Sequence, residues 1–376
     1  MVMYSAEGSS AVIEPNPIHL GFKSPKLPAR RCLNLDASVW DRRRVESVER
    51  EATGRKARAG PARSILPRSF YTTHRQVNGG VGFPPDTPTA GRNAQHMQPI
   101  ERARADDVPP ALHTTLEGTQ QSGPTILLAH GFAGSARAWD PLMASLTAAH
   151  PIVRVDLVGH GLSPKPMRGY SMPDQVEAIC RSLDRLAVAN VVAVGHSGGG
   201  DVVVEMIKRH PSRLAGALLL GTPPNLSYVN LPVAARIISA PLLGYLVWRS
   251  LTDAMIRRSL AQTFAPGFDA NPAVCAPFIE DLRRMTHNSY VAARAAVEGY
   301  RKERDLTARV AGRPIPILVA FGDQDQWMDP SALEAWKPIA ETRVFRGVGH
   351  TPMLEDPCAT AELILDFARR VGSNAA

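Results

Sequence analysis

Short apolar runs alternate with amphipathic segments along the chain from residue 111 onward. The predicted strands are the runs TILLAHGF, IVRVDLVGHG, VVAVGHS, AGALLLGT, PIPILVAFG and TRVFRG. Other segments, such as SMPDQVEAICRSLDRLAVA and ATAELILDFARRVG, repeat their apolar residues with the period of a helix. Continuous apolar strands joined by helices indicate a mostly parallel sheet that helices cover on both faces. The predicted fold is therefore a doubly wound α/β domain, whose chemistry is expected at the carboxyl ends of the strands.

One predicted strand ends on an isolated hydroxyl group among glycines. In VVAVGHSGGG, residues 191–200, the residues Gly195, Ser197 and Gly199 match the pattern Gly-x-Ser-x-Gly. In this pattern a strained turn lifts the serine hydroxyl clear of the backbone, and the glycines let strand and helix approach each other. The alternatives are a glycine-rich turn with an incidental serine, or a phosphate-binding loop. The GxGxxG spacing and the GK[ST] ending of phosphate-binding loops are both missing, so Ser197 is the candidate nucleophile.

A nucleophilic serine needs a base and a carboxylate that orients the base, and two later strand ends offer both. The segment ILVAFGDQDQWMDP supplies Asp323, Asp325 and Asp329, and FRGVGHTPMLEDP supplies His350. The order serine, aspartate, histidine is one that hydrolases on such sheets use. The long interval between Ser197 and the aspartates leaves room for an inserted domain.

Four local patterns give the chain a resemblance to the α/β-hydrolase superfamily over about residues 110 to 372. HGFAGSARAWD (130–140) is similar to the loop that supplies part of the oxyanion hole, and DLVGHGLS (156–163) is similar to the turn after the next strand. The serine turn and GVGHTPMLEDP complete the set. The resemblance implies that the backbone N–H groups of Phe132 and Gly198 form the oxyanion hole.

The resemblance also selects among the three aspartates. It implies that the acid is Asp325, three residues after Gly322, with Asp323 as the competitor and Asp329 as the weakest candidate.

The activity that the resemblance implies is that of a serine hydrolase. The expected substrate is a small-to-medium hydrophobic carboxylic ester, lactone or related carbonyl compound, cleaved through an acyl-enzyme on Ser197 without a metal or an organic cofactor. A dehalogenase or epoxide hydrolase is disfavoured, because those relatives carry aspartate at the position of Ser197. Carbon–carbon bond hydrolysis, cofactor-free peroxidase chemistry and a ligand-binding regulatory protein remain as alternatives.

Residues 225–311 interrupt the alternation with predicted helices, between core segments 106–224 and 312–376. In this fold such an insertion forms a helical cap over the strand ends. The run IISAPLLGYLVW is apolar nearly all round, which is more than one packed helix face requires. We therefore predict that Leu243, Leu246, Val247 and Trp248 line an acyl pocket, and that the substrate is uncharged.

The positive charge of the chain is concentrated at its N-terminal end. Residues 1–96 hold 15 Lys and Arg against 8 Asp and Glu, a net +7, whereas the remaining residues have a net +1. Residues 1–105 are rich in Pro, Gly, Arg and Ser and are predicted to be a disordered basic leader, with one helix near DASVWDRRRVESVEREATG. A basic binding arm, a functionless tail and a true start at Met97 are the alternatives for this leader.

Nucleic acid is not an expected partner, and the sequence does not indicate an oligomeric state. The longest uncharged apolar run has twelve residues, which is too short to span a membrane. The N-terminal residues lack a signal-peptide pattern, and the four cysteines have no metal-binding spacing. These features predict a cytoplasmic protein.

Overall fold

A computed structural model describes residues 110–118, 123–230, 237–240 and 243–373. The predicted leader and its helix lie outside the described residues.

The centre of the fold is a mostly parallel sheet in the order β1-β3-β2-β4-β5-β6-β7, in which only β1 runs antiparallel to its neighbour. The strands are β1 (Thr114–Glu117), β2 (Thr125–Ala129), β3 (Ile152–Val155), β4 (Val191–His196), β5 (Leu214–Leu220), β6 (Ile317–Gly322) and β7 (Glu341–Phe345). The six strands predicted from apolar runs are present, and the α/β-hydrolase fold is confirmed.

Strand β1 was not predicted from the sequence. It pairs with β3 from Thr114, opposite Val155, to Glu117, opposite Ile152. The strand is short and lies at the edge of the sheet, and Leu116 is 46% exposed. An edge strand needs little apolar surface, so it leaves no apolar run in the sequence.

Helices cover both faces of the sheet. The described helices are α1 (Met143–Thr147), α2 (Met172–Arg185), α3 (Gly198–Arg209), α4 (Leu243–Ser250), α5 (Asp253–Ala261), α6 (Pro272–Arg284), α7 (His287–Glu303), α8 (Leu306–Val310), α9 (Ala332–Trp336), α10 (Pro352–Glu355) and α11 (Pro357–Ser373). Along β2, Leu127 packs on the face that holds α2 and α3, whereas Leu128 packs on the face that holds α11. Alternate side chains of one strand thus enter two cores, which is why the strands read as continuous apolar runs.

We call residues 225–311, between β5 and β6, the helical insertion, because the part of this range that the structure describes is mostly helical. The apolar run predicted here ends within α4, and a separate helix, α5, begins after Thr252, whose hydroxyl accepts a hydrogen bond from the Met255 N–H (3.2 Å). Gly244 lies against the preceding turn: a Cβ at this position would be 2.2 Å from the carbonyl oxygen of Ile238. The glycine therefore permits a close backbone approach at the start of α4.

Candidate active site

Ser197 lies at a strained turn between β4 and α3. Its φ of 49° and ψ of −116° are unusual for a residue with a side chain, and such strain costs about 1–3 kcal/mol. The flanking glycines make the turn possible: a Cβ on Gly195 would lie 2.6 Å from the carbonyl oxygen of Gly199, and one on Gly199 would lie 2.4 Å from that of Ala129. The Ser197 hydroxyl makes no capping hydrogen bond to α3. The turn therefore leaves this hydroxyl available for chemistry.

His350 and Asp325 are in direct contact. The Nδ1–H of His350 donates to Oδ2 of Asp325 over 2.8 Å, and both residues are buried. Oδ1 of Asp325 accepts hydrogen bonds from the backbone N–H groups of Trp327 and Met328, each over 2.9 Å. With the proton of the neutral ring on Nδ1, Nε2 is left as the basic nitrogen. This pairing can orient a histidine for proton transfer.

The two competing aspartates point to other partners. Asp323 accepts from the N–H of Gly347 (2.7 Å) and pairs with Arg346 (3.3 Å). These bonds lower the pKa of Asp323, the backbone bond from Gly347 being the main cause. Asp329 accepts from the N–H of Ser331 (2.9 Å). Among the three candidates, Asp325 is therefore the one that contacts His350.

Gly221, after the end of β5, and His196, directly before Ser197, help to hold His350 in place. A Cβ on Gly221 would lie 3.1 Å from Nδ1 of His350, so this glycine leaves room for the imidazole. His196 donates its Nε2–H to the carbonyl oxygen of His350 over 2.8 Å. The ring of Trp327 lies nearly parallel to the His350 ring, with 6.2 Å between centroids. Ser197 is tied to the same strand end, because its N–H donates to the carbonyl oxygen of Leu220 (2.8 Å).

Two histidines beside the site are held in their neutral form. Burial, reinforced by the nearby imidazole of His350, lowers the pKa of His196 to about 3. Burial, reinforced by the nearby His130, lowers the pKa of His160 to about 3. Both rings therefore act as uncharged hydrogen-bonding and packing groups at neutral pH.

The predicted oxyanion-hole residues are adjacent in space. A Cβ on Gly198 would lie 3.5 Å from the backbone nitrogen of Phe132. The loop turns sharply after Phe132, where Ala133 has a φ of 60°. His130 fixes the base of this loop: its Nδ1–H donates to the carbonyl oxygen of Gly131 (2.8 Å), and its Nε2 accepts from the N–H of Leu157 (3.0 Å). The backbone nitrogen of Phe132 thus lies close to Gly198, the residue that follows Ser197.

The carboxylate of Glu355 binds the loop that carries His350 and ties it to the helical insertion. One oxygen accepts from the N–H groups of Gly349 (2.8 Å) and Ala265 (2.7 Å), and the other accepts from the N–H (3.1 Å) and hydroxyl (2.9 Å) of Thr351. The His350 N–H itself donates to the carbonyl oxygen of Thr263 over 2.7 Å. The segment 263–265 of the insertion is thereby attached directly to the histidine loop.

Two further polar contacts join the insertion to the core. Arg301 on α7 forms a bidentate pair with Asp201 on α3, at 2.8 and 2.6 Å, and both side chains are buried. The hydroxyl of Ser135 and the guanidinium of Arg137 each contact Asp281 on α6 at 2.6 Å. Asp201 and Arg301 are 100 residues apart in the chain, so the anchoring of the insertion by this pair is a finding of the structure.

A cavity of about 540 Å³ lies between the strand ends and the insertion, and both Ser197 and His350 line it. This size is in the range of pockets that hold small organic ligands. Its apolar walls include Phe132, Ile238, Leu251, Ile256, Phe264, Leu282, Tyr290 and Leu354.

The four residues predicted to form the acyl pocket lie elsewhere. None of Leu243, Leu246, Val247 and Trp248 lines this cavity. Leu243 and Leu246 are 56% and 65% exposed, whereas Trp248 packs behind Tyr290 with 5.0 Å between ring centroids. The turn at 251–252 directs the following helix to the cavity instead, so that Leu251, Met255 and Ile256 line it. The sequence indicated a surplus of apolar surface in this segment but not which turn of helix faces the site.

Several site residues had no signal in the sequence. Glu355 ends the four-residue helix α10, and Tyr290 lies in the first turns of α7, where a carboxylate or an aromatic ring does not by itself indicate a role. Trp327 follows Asp325 by two residues, and this short separation was the indication in the sequence that Trp327 lies near the site.

Among the described residues, no three His, Cys, Asp or Glu side chains cluster in a way that could hold a metal ion. Within the same residues, no helix is both long and apolar enough to cross a membrane.

The parallel sheet and the serine turn at the end of β4 define a hydrolase of the α/β class. A family model described as the alpha/beta hydrolase family matches residues 126–363, more than half of the chain. The chain therefore belongs to the α/β-hydrolase family.

Individual relatives are distant. The chain is 26% identical over 237 residues to the dihydrolipoyllysine-residue acetyltransferase component of the acetoin cleaving system of Cupriavidus necator, and this match covers 61% of the chain but only 60% of that protein. An esterase from Thermogutta terrifontis shares the fold with a TM-score of 0.58 and 23% identity, over 69% of this chain and 94% of that chain. The enol-lactonase of Burkholderia xenovorans LB400 does so with a TM-score of 0.58 and 21% identity, over 68% and 95%.

Proposed function

We propose that the protein is a serine hydrolase that cleaves a small-to-medium hydrophobic carboxylic ester, lactone or related carbonyl compound. The observation that carries this proposal is that His350, paired with the buried Asp325 over 2.8 Å, lines the same cavity as Ser197 on its strained turn. The fold shared with an esterase and an enol-lactonase fits the same reaction class.

The proposed mechanism uses only groups of this chain. Nε2 of His350 takes the proton from the Ser197 hydroxyl while Oγ attacks the substrate carbonyl carbon, and Asp325 stabilises the resulting imidazolium. The N–H groups of Phe132 and Gly198 stabilise the oxyanion of the tetrahedral intermediate, at about 3 to 4 kcal/mol for one donor. His350 then returns the proton to the leaving alcohol, and the acyl group stays on Ser197. Water, activated by the same histidine, releases the acid and restores the serine.

The helical insertion, residues 225–311, would act as the cap of this site, over a core formed by 106–224 and 312–376. Its apolar walls favour a hydrophobic substrate, because transfer of apolar surface from water into such a cavity stabilises the complex by about 25 cal/mol per Å². The cap would also reduce access of bulk water to the acyl-enzyme.

A fluorophosphonate probe, combined with hydrolysis of p-nitrophenyl esters of graded acyl length, tests the proposal. We expect one covalent label, on Ser197, and loss of both labelling and turnover in Ser197→Ala. The matched control is Ser227→Ala, which removes an exposed hydroxyl in the turn Leu226–Tyr228. A label on another residue, or ester turnover by Ser197→Ala at the wild-type rate, would show that the assignment is wrong.

A further inference from the structure

The entrance of the cavity differs in chemistry from its interior. Helix α5 and the residue that caps its C-terminal end present Met255, Arg258, Ser259 and Gln262 to the cavity, at the spacing of one helix face. All four are exposed, whereas Ser197, Phe264 and His350 at the inner end are buried. The cavity therefore leads from a buried, apolar reaction centre to an exposed rim formed by the polar residues of α5.

Arg258 is the only Arg, Lys, Asp or Glu side chain among the described residues that line this cavity. Its guanidinium forms no ion pair or hydrogen bond with any described residue. Several arginines of the insertion are paired, among them Arg283 with Asp253, Arg294 with Glu298 and Arg301 with Asp201. Arg249, Arg257 and Arg284 form no ion pair with the described residues, but none of them lines the cavity. An unpaired arginine at the rim of an apolar cavity is thus available to a ligand.

The neighbours of Arg258 on the same face are also hydrogen-bond donors without protein acceptors. The side chains of Ser259 and Gln262 form no hydrogen bond with the described residues. A hydroxyl, an amide and a guanidinium together can bind an anionic oxygen, and the planar guanidinium suits a carboxylate in particular.

We infer that the substrate carries a carboxylate at the end far from its scissile ester bond, and that Arg258 binds this carboxylate at the cavity entrance. This inference rests on the proposed ester hydrolysis. The apolar middle of the substrate would fill the cavity, and the anionic end would remain at the exposed rim. This arrangement avoids the cost of burying a charge and revises the expectation of an uncharged substrate.

Matched ester pairs test the inference on the full chain. In the first pair, p-nitrophenyl hydrogen suberate is compared with its methyl ester, so that only the acyl end changes its charge. In the second pair, the butyrate ester of 6-hydroxyhexanoate is compared with that of methyl 6-hydroxyhexanoate. The measured quantity is the ratio of kcat/KM for the acid to kcat/KM for its neutral partner. The two pairs separate a carboxylate on the acyl part from one on the alcohol part.

We expect Arg258→Gln to lower this ratio about fivefold in one of the two pairs, which is the upper end of what a partly exposed ion pair contributes. Arg258→Lys should retain most of the ratio. Arg257→Gln is the matched control, because it removes the same charge from the adjacent exposed position, which does not line the cavity. The ratio should also fall as salt screens the charges. A change below about threefold in both pairs, or an equal change in Arg257→Gln, would overturn the inference.

A binding measurement separates failure of this inference from failure of the proposed reaction. Ser197→Ala is titrated calorimetrically with suberate monomethyl ester and with dimethyl suberate, and the titrations are repeated in Ser197→Ala/Arg258→Gln. Absence of ester turnover together with Arg258-dependent binding of the acid would reject the hydrolase assignment and retain the carboxylate site. Ester turnover together with Arg258-independent binding would retain the hydrolase assignment and reject the carboxylate site.

Discussion

At the scale of single residues, both oxygens of the Asp325 carboxylate are already engaged. One oxygen accepts a hydrogen bond from the Nδ1–H of His350. The other accepts hydrogen bonds from the backbone N–H groups of Trp327 and Met328. The backbone bonds fix the carboxylate, so the histidine ring is fixed in turn. Removal of the negative charge while the shape is kept should therefore alter the histidine tautomer rather than the fold.

We predict that Asp325→Asn lowers kcat for ester hydrolysis by about 10⁴-fold, because asparagine would hold His350 in the wrong tautomer. The corresponding change has this effect in studied triads. Asp323→Asn is the control, because it has the same chemical change two residues away, on a carboxylate bound to Gly347 and Arg346. Steady-state kinetics with one p-nitrophenyl ester suffice for the comparison. A larger loss in Asp323→Asn than in Asp325→Asn would move the proposed acid by two residues.

The sequence was informative about this site because each candidate follows the end of an apolar strand. Ser197, His350 and a choice of three aspartates could be named in this way, since parallel strands bring their carboxyl ends to one edge. The contact of Asp325 with His350 could not be derived from spacing, because it depends on how the turn after β6 folds. Nor could the rim position of Arg258 be predicted: its neighbour Arg257 has the same charge and differs only in which face of α5 it occupies.

At the scale of elements, apolar patterns predicted much of the core. Ser171 and Asp174 form reciprocal capping bonds at the start of α2, a helix that the sequence pattern indicated. The packing of the insertion helices could not be predicted, because the run IISAPLLGYLVW is apolar nearly all round and does not indicate which face is buried. Anchors such as Asp201–Arg301 join residues far apart in the chain, and pairs of that kind leave no local pattern.

The Asp201–Arg301 pair attaches α3, the helix that follows Ser197, to α7 of the insertion. We predict that Asp201→Asn lowers the free energy of unfolding by about 3–5 kcal/mol, because it leaves the buried Arg301 guanidinium without a compensating charge. Urea unfolding measures this loss. The control is Lys337→Gln, which breaks the exposed pair with Glu334 and should cost less than about 1 kcal/mol. Equal, small losses in both variants would contradict the anchoring role.

At the scale of the whole molecule, the core and the insertion are joined at several points around one cavity. Glu355 ties segment 263–265 to the histidine loop, Asp281 ties α6 to Ser135, and Arg301 ties α7 to α3. All three contacts lie around the reaction centre, whereas Arg258 on α5 takes no part in them. The inner end of the cavity is therefore fixed by the fold, and its rim can differ in sequence without affecting these contacts.

The buried neutral histidines predict how the stability of the whole molecule depends on pH. The pKa values of His160 and His196 are lowered to about 3 by burial, whereas an unfolded histidine titrates near 6.5. Below about pH 6.5 the unfolded chain therefore binds protons that the native protein does not bind, so acidification favours unfolding. Each histidine should contribute about 1.4 kcal/mol per pH unit to the fall in the free energy of unfolding between pH 6 and 4.

We predict that His160→Gln makes this pH dependence shallower by about one proton, even if it lowers the stability at pH 7. The measurement is urea unfolding at several pH values from 7 to 4, in which the slope of the unfolding free energy against pH counts the protons taken up. His210→Gln is the control, because its side chain is 30% exposed at the end of α3, whereas the ring of His160 is buried. An unchanged slope in His160→Gln would mean that His160 is protonated in the native protein at these pH values. Burial of the neutral ring would then not be a source of acid sensitivity.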